Sequence, residues 1–465
     1  MKRRDFMKTT GLVAGASVLG GMSVARGANV GGDDVIKIAL VGCGGRGRGA
    51  VADRFSAKDN VKLVAIADAF EANAKSAAEA FQNMDPDRVD LGDRIFWGFD
   101  AYKKAIDECD QALIVTSPGF RPIHYKYAIE QGKHVFMEKP CCVDARGYKM
   151  AMEANKLADE KGLTVVVGFQ RHYELPYVRM VEQIKEGKIG EIMYSRVYWN
   201  GDGIWERGRQ KGDTEMMYQM RNWYHFNWLC GDGIVEQHCH NIDVANWVHS
   251  LGDPMCANAH PIKCNAMGGR EVRKFPRFKN SGHRYDHYVC EFTYADGSQM
   301  FSQCRHQGNC WNNVSETFYG TKGWGGRGWL DARDGSQIWR FDGNKDENKV
   351  SSNNPYQYEH HLQAKWIREG AKHNDGWHAA NSSMTSNLGR MAACSGKELT
   401  WDDAVNKGAD EFPYDEVAKW EKDPNLFWET NPPVMPDTTM PVLPKEGEVI
   451  YENSVAVPGE WKWHV

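Results

Sequence analysis

Several absences narrow the class of protein that this sequence encodes. Its 465 residues contain no run of 18 or more apolar residues, which excludes a membrane-spanning helix. None of the 12 cysteines forms a CxxC pair, and zinc-ribbon spacing is also missing. The sequence has no internal repeat and no low-complexity segment. We therefore expect buried, reduced thiols in a globular protein, with one or two disulfides as the open alternative.

The sequence also lacks an excess of positive charge. Its formal net charge is −5, whereas a surface that binds nucleic acid needs clustered Lys and Arg. Hydrophobic residues make up 42% and charged residues 26%, the proportions of a globular protein, and the length suits two domains. We predict no nucleic-acid partner.

The N-terminus has the order of a targeting segment. Two arginines stand in KRRDFMK at residues 2–8, a mildly apolar stretch extends to Met22, and small residues surround a cleavage point at Ala25–Gly27. This order is typical of a twin-arginine secretion signal, and an ordinary basic arm is the alternative. We predict that residues 1–27 are this signal and that the mature protein is periplasmic. Removal of the segment, with its excess of basic residues, would leave a more acidic chain.

Short apolar runs alternate with helical segments from residue 36 onward. The runs KIALV, VKLVAIA, ALIVT, HVFM and TVVVGF have the length and composition of strands that are buried on both faces. Such an alternation predicts a parallel sheet covered by helices on both sides. We assign residues 36–165 to an N-terminal Rossmann dinucleotide-binding domain.

The pattern changes after Gly168. Residues 192–199, 286–294, 299–305 and 314–319 alternate as strands with one buried face do. We predict a C-terminal α+β domain with an open, mostly antiparallel sheet over residues 166–400, which makes the chain α/β overall. A Trp- and Tyr-rich loop region is expected over 199–230. A C-terminal extension, residues 401–465, is expected to be irregular from about residue 408.

A glycine motif follows the first predicted strand. Gly42, Gly44 and Gly47 form GxGxxG, in which the glycines permit a tight turn, approach of a pyrophosphate and close packing of the helix. Asp68 ends the second predicted strand, where a carboxylate binds the ribose 2′-hydroxyl and repels a 2′-phosphate. We therefore predict NAD as the cofactor rather than NADP, although Arg46 or Arg48 could approach a phosphate.

Two further clusters offer catalytic side chains. Lys139 follows the fifth predicted strand, at the sheet edge where ligands bind, and could stabilise charge on a reacting hydroxyl; a surface lysine is the alternative. Glu236 and His240 would share a face of one helix, so that the carboxylate orients a base. Capping and packing are the alternative role for this pair. The HCH sequence at 238–240 lacks a third metal ligand, and we predict no metal site.

Aromatic residues dominate the loops that follow the first strand of the second domain. Aromatic rings stack on the C–H faces of sugars, while Arg and Asn side chains bind hydroxyls; packing in the core is the alternative. From this region we predict as substrate-binding residues Arg221, Trp223 and Tyr224.

Taken together, the motifs resemble those of the Gfo/Idh/MocA family of oxidoreductases. The resemblance covers about residues 36–400 and rests on motifs in sequence order, which are VGCGGRG with Asp68, TSP at 116–118, GKHVFMEKP at 132–140, GFQRHY at 168–173, Glu236-x-x-x-His240 and GTKG at 320–323. One departure is Glu236, which stands where the family commonly has Asp.

The resemblance implies roles for individual residues. Lys139 would lie beside the substrate hydroxyl, and His240 would be the acid/base and contact substrate. The nicotinamide would bind between the domains, and dimers or tetramers would form through the open sheet face. Residues implied to bind the cofactor are Gly42, Gly44, Gly45, Arg46, Gly47, Asp68, Thr116, Pro118, Glu138 and Lys139. Residues implied to line the substrate pocket are Gln170, Arg171 and His172.

The function predicted from these features is oxidation of a ring hydroxyl of a sugar or glycoside, with carbon 3 as a candidate, to a ketosugar. Because free NAD is scarce outside the cytoplasm, the cofactor would stay bound and be recycled. One alternative is a glycoside hydrolase that oxidises, eliminates and re-reduces with bound NAD. A second alternative is a non-catalytic sugar-binding protein on the same fold.

Overall fold

The structure, a computed structural model, describes residues 34–270, 282–343 and 354–433. The predicted signal at residues 1–27 and residues 434–465 of the extension lie outside the described residues. Within those ranges no helix combines the length and apolar character needed to cross a membrane.

The N-terminal domain is built on a six-stranded parallel sheet with the strand order β3-β2-β1-β4-β5-β6. Its central strands are buried on both faces, as their continuous apolar runs predict. This order is that of the doubly wound dinucleotide-binding fold, so the predicted Rossmann domain is confirmed. The strands are β1 (Ile36–Val41), β2 (Val61–Asp68), β3 (Ile95–Trp97), β4 (Gln111–Ile114), β5 (His134–Met137) and β6 (Val165–Val167).

Helices cover both faces of this sheet. The boundary predicted after residue 165 falls inside β6, so the sheet extends two residues beyond it. The helices are α1 (Gly45–Phe55), α2 (Glu71–Met84), α3 (Ala101–Asp107), α4 (Arg121–Glu130) and α5 (Ala145–Lys161), with 3-10 helices at Pro86–Arg88, Pro118–Phe120 and Gln170–Tyr173.

The second domain contains a nine-stranded sheet with the order β14-β13-β12-β11-β7-β10-β9-β8-β15. Each pair of neighbouring strands is antiparallel except β7 and β10, which run parallel. The open, mostly antiparallel sheet is therefore confirmed. The strands are β7 (Ile192–Gly201), β8 (Lys263–Gly269), β9 (His287–Thr293), β10 (Gln299–His306), β11 (Asn313–Gly320), β12 (Gly323–Gly326), β13 (Trp329–Ala332), β14 (Gln337–Arg340) and β15 (Leu399–Thr400).

Helices α10 and α12 pack on one face of this sheet, and the other face is open. Along β10 buried and exposed residues alternate, as a one-sided strand requires. The helices are α6 (Leu175–Lys185), α7 (Glu215–Arg221), α8 (Asn227–Cys230), α9 (Gly233–Glu236), α10 (Cys239–His249), α11 (Pro355–Glu369) and α12 (Gly376–Ser395).

The loop region predicted over 199–230 is partly helical. It contains α7, a 3-10 helix at Trp223–His225, and α8. The Thr214 side chain caps α7 by accepting a hydrogen bond from Met217 N, and Gly231 ends α8 in the left-handed conformation. These segments are too short for their periodicity to predict them, but their caps fix where they begin and end.

The prediction of an irregular tail from about residue 408 is wrong for residues up to 429. Two helices lie there, α14 (Tyr414–Lys422) and α15 (Leu426–Glu429), and α13 (Trp401–Lys407) precedes them. Trp420 and Phe427 are buried against Phe99 of the Rossmann domain. The carboxylate of Asp144 accepts hydrogen bonds from the backbone of residues 411 and 412, which attaches the extension to the first domain.

All 12 cysteines lie in the described residues, and none is paired in a disulfide. Ten are buried and two, Cys256 and Cys310, are half-buried. Burial raises the pKa of the Cys109 and Cys141 thiols to about 12, so both are protonated at neutral pH. The expected buried, reduced thiols agree with this arrangement.

Candidate active site

The glycine loop between β1 and α1 has the shape of a nucleotide cradle. Gly42 adopts φ +101°, and a Cβ there would lie 2.7 Å from the Val115 backbone. At Gly47 a Cβ would lie 1.9 Å from the carbonyl oxygen of Gly42, so this glycine permits the close approach of α1 to the turn. Gly44 and Gly45 instead have open space where a Cβ would be. The N-terminus of α1 also has no side-chain cap, which suits the binding of a diphosphate by its N–H groups.

Asp68 lies beside this loop at the end of β2. Its Oδ2 accepts a hydrogen bond from Cys43 N at 2.8 Å, and its Oδ1 accepts one from Phe70 N at 2.9 Å. Burial raises the pKa of Asp68, and these hydrogen bonds oppose the increase. The carboxylate is thus held next to the loop, at the position where an adenosine ribose binds in this fold.

Arg46 and Arg48 have different surroundings. Arg46 forms ion pairs with Glu138 and, at 2.9 Å, with Asp53. Arg48 donates hydrogen bonds to Cys43 O at 3.2 Å and to the Ser76 hydroxyl at 3.1 Å. Arg46 is therefore bound to carboxylates of the protein, whereas Arg48 lies on the Asp68 side of the loop.

The other predicted cofactor residues follow β4 and β5. The Thr116 hydroxyl lies 3.1 Å from His124 Nδ1, and Pro118 begins the 3-10 helix at Pro118–Phe120. Glu138 follows β5 and pairs with Arg46 across the sheet edge. All of these residues lie at the carboxyl ends of the parallel strands, the edge at which this fold binds ligands.

Lys139 joins the two domains. Its buried ammonium group lies 3.0 Å from Oε1 of Glu236 and also donates a hydrogen bond to the backbone carbonyl of Glu236. Burial opposes the charged form, but the attraction of Glu236 outweighs it and raises the pKa of Lys139. Lys139 is therefore a cation at neutral pH, suited to donate a hydrogen bond rather than to remove a proton.

Glu236 and His240 do not lie on one continuous helix, which corrects the prediction. Glu236 is the last residue of α9, His240 lies in the first turn of α10, and the chain bends between them at residues 237 and 238. α9 begins after Asp232, which has φ +75° and whose carboxylate binds Tyr285 N and the Tyr288 hydroxyl. α9 ends at Glu236, whose Oε1 lies 3.0 Å from Nζ of Lys139.

His240 is a buried, neutral imidazole. Burial lowers its pKa well below the ordinary value, and the positive charges of Lys139 and Arg171 lower it further. Its Nδ1 has no hydrogen-bond partner among the described residues. The ring lies between Phe169 and Trp199, with centroids 5.8 and 6.0 Å away. A neutral imidazole in this position can accept a proton from a substrate hydroxyl.

The three residues predicted to line the substrate pocket lie on the 3-10 helix at 170–173 and differ in their contacts. Gln170 has a buried Oε1 without a hydrogen-bond partner among the described residues. Arg171 pairs with the buried carboxylate of Glu316, and His172 Nε2 lies 2.7 Å from Asp243 Oδ2. Of the three, Gln170 retains the unsatisfied polar atom that a substrate hydroxyl could satisfy.

The residues predicted from the aromatic loops separate in the structure. Arg221 pairs with Asp213 and lies over the Phe70 ring, 5.3 Å from its centroid. Trp223 packs against Trp205 with the centroids 6.1 Å apart. Tyr224 is buried, its pKa is raised by burial and then by nearby Glu236, and its hydroxyl donates to Gln237 at 3.2 Å. Tyr224 is thus the member of this group that lies beside the catalytic candidates.

Sequence reasoning missed Arg121 and Phe169 at this site. Arg121 is buried and donates hydrogen bonds to the carbonyl oxygens of Lys139 and Pro140, which fixes the backbone of the EKP turn. Phe169 packs edge-on against His240. The EKP and GFQRHY motifs lie at these contacts. No local sequence spacing, however, predicts that Arg121 binds the EKP turn or that Phe169 packs on His240.

Comparison with known proteins identifies a family with a similar Rossmann domain. The profile of the Gfo/Idh/MocA oxidoreductase family, described as having an NAD-binding Rossmann fold, matches residues 36–169. The Rossmann domain of this chain is therefore similar to the Rossmann domain of that family. The Gfo/Idh/MocA match includes the glycine loop, Asp68 and the EKP turn, so the resemblance seen in the motifs is confirmed for this domain. The match also supports the predicted oxidoreductase with a nucleotide site of the nicotinamide type.

Individual relatives agree with the family. The chain is 25% identical over 269 residues to an inositol 2-dehydrogenase of Burkholderia lata, which covers 52% of this chain and 74% of that protein. Inositol 2-dehydrogenases of Burkholderia cenocepacia and Pseudomonas syringae align over 48% and 43% of their length, so for these the chain matches less than half of the relative.

A solved structure of similar fold is a levoglucosan dehydrogenase in complex with NADH and levoglucosan. It has a TM-score of 0.58 at 17% identity and covers 79% of this chain and 99% of its own. At this identity the likeness shows the fold alone. The likeness extends over both domains and agrees with a fold that joins a Rossmann domain to a mostly antiparallel second domain.

Proposed function

We propose that this protein is an NAD-dependent dehydrogenase that oxidises a ring hydroxyl of a sugar, glycoside or related polyol to a ketone. We place the oxidised hydroxyl on a ring carbon, and carbon 3 is the position to test first. The names of the relatives, inositol 2-dehydrogenase and levoglucosan dehydrogenase, support this class of substrate.

The observation that carries the proposal is the contact of Lys139 with Glu236, close to neutral His240. Bound NAD supplies the hydride acceptor. His240 takes the hydroxyl proton on its imidazole, since burial keeps this ring unprotonated. Lys139 donates a hydrogen bond to the same oxygen, where negative charge develops as the proton leaves. Glu236 holds the ammonium group in place and compensates its charge.

The nucleotide site supports NAD. Gly44 and Gly45 leave the space that a diphosphate needs, and the uncapped N-terminus of α1 provides N–H donors. Asp68 offers a carboxylate to the ribose hydroxyls and would repel a 2′-phosphate. Arg48 lies on the same side and is the residue through which NADP could still be accepted.

The test is to denature the purified protein, identify the released nucleotide, and repeat this after incubation with a panel of sugars, inositols and glycosides. We expect NAD from the untreated protein, NADH after incubation with a substrate, and a ketosugar or ketoinositol as product. Release of free sugar from a glycoside without a net change of the nucleotide would instead identify a hydrolase. Failure to release or bind any nucleotide would overturn the proposal in favour of a sugar-binding protein.

We further propose that residues 1–27 direct export by the twin-arginine route and that the mature protein is periplasmic with its cofactor retained. The twin arginines Arg3 and Arg4 support export of a folded protein, and retained NAD requires a second substrate to reoxidise it. Fractionation of cells that express the wild-type chain or Arg3→Lys/Arg4→Lys tests the first point. Equal periplasmic amounts of the two would contradict it.

We also propose that the open face of the second sheet forms a homo-oligomer, as a dimer or tetramer. Apolar side chains at least 38% exposed lie on three neighbouring strands of this face, namely Met267, Val289 and Phe301. An apolar patch of this kind on a sheet marks an interaction surface. Light scattering of the wild type and Phe301→Glu measures the assembly, and a monomeric wild type would contradict the proposal.

A further inference from the structure

Three side chains with metal-binding atoms meet behind His240. Nε2 of His172 lies 2.7 Å from Oδ2 of Asp243, and Nδ1 of His378 lies 3.2 Å from Oδ1 of the same carboxylate. One donor atom from each residue can be chosen so that all three lie within 4.8 Å of one another. The residues come from three elements: the 3-10 helix at 170–173, α10 and α12. We propose that His172, Asp243 and His378 bind a divalent transition-metal ion of the zinc type.

The donor set selects the kind of ion. Two imidazole nitrogens and one carboxylate oxygen suit Zn²⁺ and its neighbours, whereas Mg²⁺ and Ca²⁺ prefer oxygen ligands alone. Zinc bonds of about 2.0–2.2 Å in a tetrahedral arrangement place donors roughly 3.3 Å apart. His172 and His378 contact different oxygens of Asp243, at 2.7 and 3.2 Å, and the three donor atoms lie within 4.8 Å of one another, so the side chains would move closer together around an ion. A fourth ligand is left to water.

The groups around the three ligands are those that metal sites use to orient ligands. Nε2 of His378, the nitrogen that points away from Asp243, lies 3.3 Å from Oδ1 of Asp375. Metal-bound histidines usually donate this second N–H to a carboxylate or a carbonyl. The Ser382 hydroxyl donates a hydrogen bond to Asp243 at 2.8 Å, and the Trp247 ring stacks on His172 at 4.1 Å. Asp243 and His172 are thus each held by a further residue, and Nε2 of His378 lies within ion-pair distance of Asp375 without forming a hydrogen bond among the described residues.

Burial gives the cluster a reason to hold a cation. Asp243 and Asp375 are at most 5% exposed, and buried carboxylates are costly unless their charge is compensated. A divalent ion bound to Asp243 and His378 would compensate both. A protonated histidine is the other way to do so, and the experiment below separates the two.

The position of the cluster indicates a positioning role. Asp243 lies three residues after His240 on α10, and the Phe169 ring lies near both His240 and His378, at 5.8 and 6.1 Å. The Phe169 ring thus contacts both the proposed base and one proposed metal ligand. Metal binding would fix the 3-10 helix at 170–173 and the start of α10 relative to α12, and with them the orientation of His240.

The test measures metal directly. The full chain is purified from zinc-supplemented cells, dialysed against metal-free buffer and analysed by mass spectrometry for metal content, and the apo protein is titrated with Zn²⁺ and with Co²⁺. We expect about one zinc per chain, and a Co²⁺ visible spectrum of nitrogen and oxygen ligands without a thiolate charge-transfer band. That band would reveal binding to cysteines instead and would overturn the assignment.

Variants identify the ligands. Asp243→Asn and His378→Gln are expected to weaken Zn²⁺ binding at least about 100-fold, and Asp375→Asn, which alters a supporting group, roughly 10- to 100-fold. His373→Gln is the matched control, because His373 contacts Asp375 but none of the three ligands; its Zn²⁺ affinity should stay within a few-fold of wild type.

Circular dichroism and nucleotide release show whether each variant is folded, and His172→Gln replaces any variant that is not. A wild type that retains no metal and binds Zn²⁺ no better than Asp243→Asn or His172→Gln would overturn the proposal. Because the readout is metal content, this result would leave the proposed dehydrogenase function untouched.

Discussion

The ammonium group of Lys139 lies 3.0 Å from the carboxylate of Glu236, and this contact brings a residue of the Rossmann domain against the second domain. Lys139 is positioned by the end of β5 and by Arg121, which donates hydrogen bonds to the backbone carbonyl oxygens of Lys139 and Pro140. Glu236 is placed by the fixed start of α9 at Asp232. The geometry of the proposed catalytic centre therefore depends on the end of β5 in the first domain and on α9 in the second.

The two glycines of the nucleotide loop should respond differently to alanine. Gly47→Ala places a Cβ against the Gly42 carbonyl oxygen and should destabilise the fold by about 2 kcal/mol or more. Gly44→Ala meets no protein atom and should leave the melting temperature unchanged, while NAD affinity falls about ten-fold or more because the methyl group enters the diphosphate space. Calorimetry and nucleotide titration measure both. Unchanged NAD affinity in Gly44→Ala would refute this location of the diphosphate.

Asp68 should determine the choice between NAD and NADP. Asp68→Asn removes the charge that repels a 2′-phosphate and leaves Arg48 nearby, so the ratio of NADP to NAD affinity should rise about ten-fold. Asp90→Asn, at an exposed residue of the same domain, is the control and should leave the ratio unchanged. Equal ratios for the wild type and Asp68→Asn would show that the carboxylate does not face the ribose.

The helices of the extension should contribute to stability. Trp420 is fully buried among Phe99, Phe412 and Phe427, so Trp420→Ala should lower the free energy of unfolding by about 3–5 kcal/mol. Trp311, which is 63% exposed, is the matched control. Trp311→Ala should change the free energy of unfolding by about 0.5 kcal/mol or less. Denaturant unfolding measures both. Similar small effects would show that the extension does not belong to the folded core.

Stability should decrease in acid because of buried histidines. Burial lowers the pKa of His124, His249 and His283 to about 3. In the unfolded chain a histidine has a pKa of about 6.5. At a pH below about 6.5 the unfolded chain therefore binds protons that the native chain does not. The free energy of unfolding should then fall, as pH drops from 6.5 towards 3, by roughly 1 kcal/mol per pH unit for each histidine. His249→Gln should reduce the slope accordingly. A free energy of unfolding that is constant between pH 6.5 and 5 would contradict these pKa shifts.

Much of the fold could be predicted because its signals are local. Continuous apolar runs such as KIALV identify strands buried on both faces, and GxGxxG between a strand and a helix identifies the nucleotide loop. The alternation along β10 similarly identifies a sheet with one open face. In each case a few neighbouring residues carry the whole pattern.

The sequence-based predictions were wrong or incomplete where contacts between residues far apart in sequence determine the structure. The spacing of Glu236 and His240 suits one helix, but Asp232 is bound by residues 53 and 56 positions away and fixes where α9 begins. Helices α14 and α15 are nine and four residues long, too short for periodicity to show them. The cluster of His172, Asp243 and His378 joins residues more than 200 positions apart and leaves no local motif.

The most direct test of the account is the rate at which bound NAD is reduced in a single turnover with a substrate from the panel, followed by absorbance. We expect Lys139→Met and His240→Gln each to slow this step by about 100-fold or more, since one loses charge stabilisation and the other the proton acceptor, while NAD affinity stays within about three-fold. Reduction at the wild-type rate in either variant would contradict the assignment of these two residues as the catalytic pair.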